Sequence, residues 1–152
     1  NVSYGKQPPP GQTYRQRYLS EIANKTDQTR IHFTGHLSYD DYLKVLQISR
    51  AHVYLTYPFI LSWSMLEAMS AGCLLIASAT PSVQEVITDG GNGLLFPFHE
   101  PVTLANQAIE ALREPARYLE IRKAARQTIV CCYDFDTICY PAFIKLLNQY
   151  NL

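Results

Sequence analysis

With 152 residues, and 13 lysines and arginines balanced by 13 aspartates and glutamates, the chain has no formal net charge and no visible basic stripe. Duplex nucleic acid is therefore not an expected partner. Its 47% hydrophobic and 17% charged content is that of a soluble globular protein, and its length is one domain's worth, enough to bury about two-thirds of the unfolded surface. No apolar run reaches the length of a membrane span, and no signal-peptide pattern opens the chain. The cysteines, Cys73, Cys131, Cys132 and Cys139, form no Cys-x-x-Cys pair and no disulfide framework, so reduced thiols and a cytoplasmic location are expected.

Residues 1–13, NVSYGKQPPPGQT, read as a loop because three consecutive prolines break both regular structures. This abrupt opening suggests a piece of a longer protein. Tyr14, Tyr18, Leu19 and Ile22 recur at helical spacing. RIHFTG reads as a short strand ended by Gly35. Ser38 is placed to N-cap YDDYLKVLQISR, whose Asp40 and Asp41 lie where the helix dipole favours anions. AHVYLTYP is a strand stopped by Pro58. A helix over 62–71 and a wholly apolar strand over 73–78 follow. Next come a short helix, PSVQEVIT, a DGGNG turn and a strand, LLFPF. Helices are predicted over 101–113, 115–131 and 136–150. Short, continuously apolar strands alternating with helices predict an α/β domain, a Rossmann-like doubly wound parallel sheet covered on both faces. Ligands of such sheets bind at the carboxyl ends of the strands, here the loops 35–38, 57–64, 78–82 and 89–93.

LEAMSAGCLLIASATPSVQEVITDGGNGLLFPF, with IHFTGHLSYDDYLKVLQISRAHVYLTYP before it, resembles the nucleotide-binding half of retaining glycosyltransferases of family 4, which have the GT-B fold. The likeness covers about residues 30–147. It implies that residues 1–152 are a single, partial donor-binding domain, the C-terminal half of a GT-B fold. The acceptor-binding N-terminal domain, this domain's first strand and the basic Arg and Lys that touch the donor phosphates would lie upstream. Lys6 does not match that pair. The family's Glu-x7-Glu signature places its second Glu at Glu67, but Phe59 stands where the first belongs. That departure bears on contacts to the transferred sugar and leaves the catalytic residues unassigned.

The residues themselves give this site a physical reading. A helix opening at Ser62, Trp63 and Ser64 offers N–H groups without internal partners, which suits a diphosphate. The Ser62 and Ser64 hydroxyls can add to it, or one of them is simply an N-cap. Glu67, about one turn in, cannot pair with phosphate, yet its carboxylate can accept from the vicinal hydroxyls of a ribose, as the family's second Glu does. The resemblance also brings Gly35, His36 and Leu37 toward the base, and Ser78 and Thr80 toward the donor. Ser82 lies in that same loop after the strand. His32, His52 and His99 lack metal-ligand spacing and read as structural, as do Glu85 and the DGGNG turn. No metal and no cofactor are expected.

The resemblance thus implies an enzyme of the hexosyltransferase class. It would transfer a sugar from a nucleotide-sugar donor to a carbohydrate or lipid-linked acceptor, in polysaccharide or glycolipid synthesis. Peripheral association with the cytoplasmic face of the membrane is compatible with that role. The fragment alone is expected to be inactive. A non-catalytic GT-B-like module or regulatory partner is the alternative that Phe59 favours, and a sugar-nucleotide epimerase is a third.

Overall fold

The computed structural model describes residues 11–57 and 60–150. The chain divides into two compact units, residues 1–37 and 38–152.

In the first unit, helix α1, Tyr14–Ile22, opens on a capping box. Thr13 Oγ1 accepts from the Gln16 N–H at 3.2 Å, and Gln16 Oε1 accepts from the Thr13 N–H at 2.8 Å. A 3₁₀ turn, Gln28–Arg30, follows. The strand expected over 30–35 does not form. Ile31 is extended, with φ −107° and ψ 112°, but the segment joins no ladder among the described residues. β propensity reports what the backbone prefers, whereas a strand also needs a neighbour to take its N–H and C=O groups.

The second unit begins at Ser38, whose Oγ accepts from the Asp41 N–H at 3.2 Å to start α2, Tyr39–Ile48. Then come β1 (Ala51–Tyr54), α3 (Trp63–Ser70), β2 (Leu74–Ser78), α4 (Pro81–Gln84), β3 (Leu94–Phe96), α5 (Pro101–Arg113), α6 (Leu119–Cys132) and α7 (Tyr140–Gln149). The helix expected from residue 115 opens as a 3₁₀ turn, Pro115–Tyr118, and the last begins as a π-helical turn, Phe135–Cys139. The helix expected over PSVQEVIT stops at Gln84, and beyond it the Asn92 side chain takes the Val86 carbonyl and the Thr88 N–H. The strands form a parallel sheet in the order β1-β2-β3, with Tyr54 opposite Ala77 and Ser78 opposite Phe96.

Every residue of β2 is buried, and its alternation divides the core. Leu75 and Ala77 pack with Leu46 of α2, with Met65, Ala68 and Met69 of α3 and with Ala125 of α6. Leu74 and Ile76 pack on the other face with Phe96, Tyr118 and Ala111 of α5. This is the expected α/β architecture with helices on both faces. Each large side chain so buried contributes about 1.5–3 kcal/mol. By contrast, α7 buries no residue, and its Phe143 and Leu146 are exposed. No helix among the described residues is long and apolar enough to cross a membrane.

Helix α3 is held at its carboxyl end with particular care. Gly72 adopts φ +78°, its N–H donates to the Met69 carbonyl at 3.0 Å, and the Cys73 N–H donates to the Ala68 carbonyl at 3.0 Å. This is a Schellman motif, which needs a residue that tolerates positive φ. Two arginines of α6 cap the same end: Arg122 Nε donates to the Gly72 carbonyl at 2.7 Å, and Arg126 donates to the Ser70 carbonyl. Guanidinium groups there complement the negative end of the helix dipole.

Candidate functional site

The carboxyl ends of β1 and β2 and the start of α3 lie in one neighbourhood, because Ser62, at the head of α3, bonds back to Tyr54, the last residue of β1. The buried Tyr54 Oη accepts from the Ser62 N–H at 3.1 Å. Ser62 Oγ accepts from the Ser64 N–H at 3.3 Å and lies 2.9 Å from Ser64 Oγ. The Met65 N–H donates to the Ser62 carbonyl at 3.1 Å. Three N–H groups at the head of the helix are thus engaged within the chain, that of Ser64 by the N-cap serine hydroxyl. The Trp63 N–H has no partner among the described residues, and the Trp63 side chain is 82% exposed.

Glu67 sits half-buried one turn into α3. None of the ion pairs among the described residues includes it. Its neighbours are two tyrosines of α2. The Glu67 carboxylate, by its charge, raises the pKa of Tyr39 above the ordinary phenol value. Tyr42 is pushed up to about 12, first by its own burial and then by Glu67. The two rings lie 6.3 Å apart, one helical turn from each other. The Tyr42 hydroxyl is buried without a hydrogen-bond partner. No hydrogen bond joins it to Glu67.

The other expected site residues fare differently. Ser78 is fully buried, and its hydroxyl is used inside the fold: Oγ accepts from the Thr56 N–H at 3.1 Å and donates to the Thr56 carbonyl at 3.0 Å. It ties the chain leaving β1 to the end of β2. Thr80 is 3% exposed, and its hydroxyl, like that of Ser82, is buried without a partner. Gly35, with φ +66°, His36 and Leu37 end the first unit, the first two exposed and Leu37 half-buried. Phe59 lies outside the described residues. His52 is partly buried, and burial lowers its pKa, which fits the structural reading.

The DGGNG turn has the structural role expected of it. Asp89 Oδ1 accepts from the Leu95 N–H at 2.8 Å. The buried Asn92 accepts from the Thr88 N–H at 2.8 Å and donates to the Val86 carbonyl at 2.9 Å and to Thr128 Oγ1 at 3.0 Å. A Cβ on Gly93 would come within 2.9 Å of Ile87 Cγ2. Glu85 is exposed just past α4. No group of three or more metal-ligating side chains occurs among the described residues.

Tyr39, Tyr42 and Tyr54 are the residues that reading the sequence missed. The i, i+3 pair of tyrosines in the first turns of α2 was a usable signal, since such residues share one helix face. Nothing local links them to Glu67 or links Tyr54 to Ser62, because those meetings depend on packing across the fold.

This arrangement matches known structures of the same architecture. The chain superposes on Anabaena HepE in complex with UDP-glucose with a TM-score of 0.78 and 20% identity, covering 89% of this chain and 37% of that one. For sucrose-phosphate synthase from Thermosynechococcus elongatus the TM-score is 0.75 at 23% identity, covering 95% of this chain and 37% of the other. At these identities the likeness shows the fold: a Rossmann-like half of a GT-B structure. An uncharacterized glycosyltransferase of Methanocaldococcus jannaschii is 27% identical over 95 residues, which are 62% of this chain and 24% of that protein. The chain thus spans well under half the length of these relatives. Its residues 4–128 match the glycosyl transferases group 1 family, and the chain belongs to that family.

Proposed function

We propose that this chain is the donor-binding part of a retaining glycosyltransferase of family 4, which moves a sugar from a nucleotide-sugar to a carbohydrate or lipid-linked acceptor. Glu67 is the observation that carries the reading. It is a carboxylate with no cationic partner among the described residues, one turn from the head of a helix at the carboxyl end of a parallel sheet. Bonds to a charged acceptor are worth about 1.5–3 kcal/mol, and the vicinal hydroxyls of a ribose supply two such donors. The solved relative HepE is described in complex with UDP-glucose and with UDP, which supports a nucleotide-sugar as donor.

The Trp63 N–H and the Ser62 and Ser64 hydroxyls are the groups on α3 left to meet a diphosphate. With basic residues supplied by the rest of the protein, they stabilise charge on the departing group. The reading places the acceptor in a second domain, asks for no resident cofactor, and allows work at the cytoplasmic face of a membrane in polysaccharide or glycolipid synthesis. It leaves the isolated 152-residue chain without turnover, since acceptor positioning is lost.

The test is transfer by the full-length protein from a panel of nucleotide-sugars, with the anomeric configuration of the product read by NMR. Retention and loss of donor binding in Glu67→Ala are expected. Inversion would overturn the mechanism, and undiminished binding in the variant would remove Glu67 from the donor. Phe59, where the family carries Glu, favours one other reading, a non-catalytic partner. Nucleotide binding without transfer to any acceptor would select that one.

A further inference from the structure

The chain leaving β1 and the chain leaving β3 are drawn together across the carboxyl end of β2. Ser78, the last residue of β2, holds Thr56 by its N–H and its carbonyl, at 3.1 and 3.0 Å. The next residue, Ala79, donates its N–H to the carbonyl of Phe96, the last residue of β3, at 2.8 Å. Just past these bonds two aromatic rings meet. Tyr57 follows Thr56, and Phe98 and His99 are the central residues of a turn closed by the Glu100 N–H on the Pro97 carbonyl at 2.9 Å. The Tyr57 and Phe98 centroids lie 5.7 Å apart with their planes at 82°, and the His99 ring stands edge-on to Phe98 at 5.0 Å and 90°. The three rings make one connected cluster at the end of the sheet where ligands of such folds bind.

Stability alone does not account for the cluster. A pair that serves the core hides its rings, whereas Tyr57 is 72% exposed. Leu55, Ile60 and Trp63, on the same stretch between β1 and the head of α3, are also more than half exposed. Apolar side chains gathered in this way on the surface mark a place of binding. Residues 51–66 contain no Asp, Glu, Lys or Arg. A phosphate would call for Lys or Arg, so the ligand of this stretch is uncharged. A pyranose ring answers that description: it shows C–H groups on one face and hydroxyls around its edge. Tyr57 offers it an apolar ring and a hydroxyl in one side chain.

We propose that Tyr57 and Phe98 form a stacking platform for a pyranose ring, carried either by the sugar of the donor or by a saccharide acceptor. The proposal rests on the reading of the chain as the donor-binding part of a glycosyltransferase. With the ribose on Glu67 and the diphosphate at the head of α3, the donor continues past that head, which Ser62 fixes to Tyr54 at the end of β1. The nucleobase lies at the other end of the nucleotide, so the ring that meets this cluster is a sugar.

The test uses the full-length protein and has two arms. In the first, calorimetry gives the affinities of UDP-glucose, UDP-galactose, UDP-N-acetylglucosamine and GDP-mannose relative to free UDP or GDP. In the second, saturation-transfer NMR gives the affinities of methyl glucosides, maltose and cellobiose with UDP present. Tyr57→Ala and Phe98→Ala are each expected to lose about two- to tenfold in one arm. A loss in the first assigns the ring to the donor, and a loss in the second to the acceptor. Tyr57→Phe keeps the ring and should lose less than Tyr57→Ala. Wild-type values in both arms for both variants overturn the platform. So does a lower melting temperature with both arms unchanged, which would make the cluster a contact with the rest of the protein, and so does an equal loss for free nucleotide and nucleotide-sugar with no loss in the second arm. If Glu67→Ala keeps the wild-type affinity for UDP while Tyr57→Ala weakens one arm, the ribose reading falls and the platform stands. If wild type binds neither nucleotide-sugar nor glycoside, both fall. Should Phe98→Ala fail to fold, the exposed Tyr57→Ala decides alone.

Discussion

Replacing Ser78 with alanine separates a donor contact from a fold contact. Ser78 Oγ makes two hydrogen bonds to one residue, accepting from the Thr56 N–H and donating to the Thr56 carbonyl, at 3.1 and 3.0 Å. Alanine removes both. Each is worth about 0.5–1.5 kcal/mol net, so about 1–3 kcal/mol is lost, with the lower part favoured because Thr56 is only partly buried and water can reach it. In a chain of this size about 1 kcal/mol moves the melting temperature by roughly 2–4 °C. The expected fall is thus about 2–12 °C, toward the lower end, read by thermal denaturation. The affinity for a nucleoside diphosphate, measured by calorimetry well below that transition, should be unchanged. An intact melting temperature with affinity lost tenfold would refute the reasoning and return the hydroxyl to the donor.

Glu67→Ala should weaken binding of a nucleoside diphosphate by about 1.5–3 kcal/mol, roughly ten- to a hundredfold, with Glu67→Gln intermediate. Calorimetry showing wild-type affinity in both would contradict the assignment. Asn92→Ala removes three hydrogen bonds from a residue 9% exposed and should cost about 2–4 kcal/mol, seen as a lower denaturant midpoint. A change below about 0.5 kcal/mol would mean that the turn is held by Asp89 and backbone alone. The Tyr42 phenol, neutral in the fold and pushed up to about 12 from an ordinary 10.0, binds its proton more tightly folded than unfolded. Its contribution to stability is therefore complete below about pH 10 and is lost as pH rises toward about 12. Denaturant titrations across that window should fall less steeply for Tyr42→Phe, and parallel curves would assign the alkaline loss to other groups.

The elements that were legible in the sequence are those whose cause is local. The largely apolar run at 73–78, short and following a glycine, reads as a buried strand from its own residues. Ser38 and Ser62 announced two helix starts because an N-cap bonds within three residues of itself. The strand at 30–35 failed because the residues state a preference but not a partner. The bonds of Ser78 were hidden for the same reason: its partner, Thr56, lies 22 residues away. The arginines of α6 carried no local signal, since Arg122 reaches a carbonyl 50 residues back in the chain. Glu67 was singled out through its motif, while the two tyrosines of α2 left only the trace of their i, i+3 spacing.

Several of the long-range bonds that the sequence concealed converge on α3. Tyr54 holds its first residues, the Schellman turn closes its last ones, and Arg122 and Arg126 cap the end beyond. Met65, Ala68 and Met69 are fully buried beneath it. A helix fixed at both ends and along one face cannot tilt to follow a ligand, so whatever Glu67 does must be done from a set position. Immobilising a free glutamate side chain costs up to about 1.5–2 kcal/mol of rotamer entropy, comparable with one of the bonds it would make to a ribose. On a rigid helix that cost is the remaining freedom in the site.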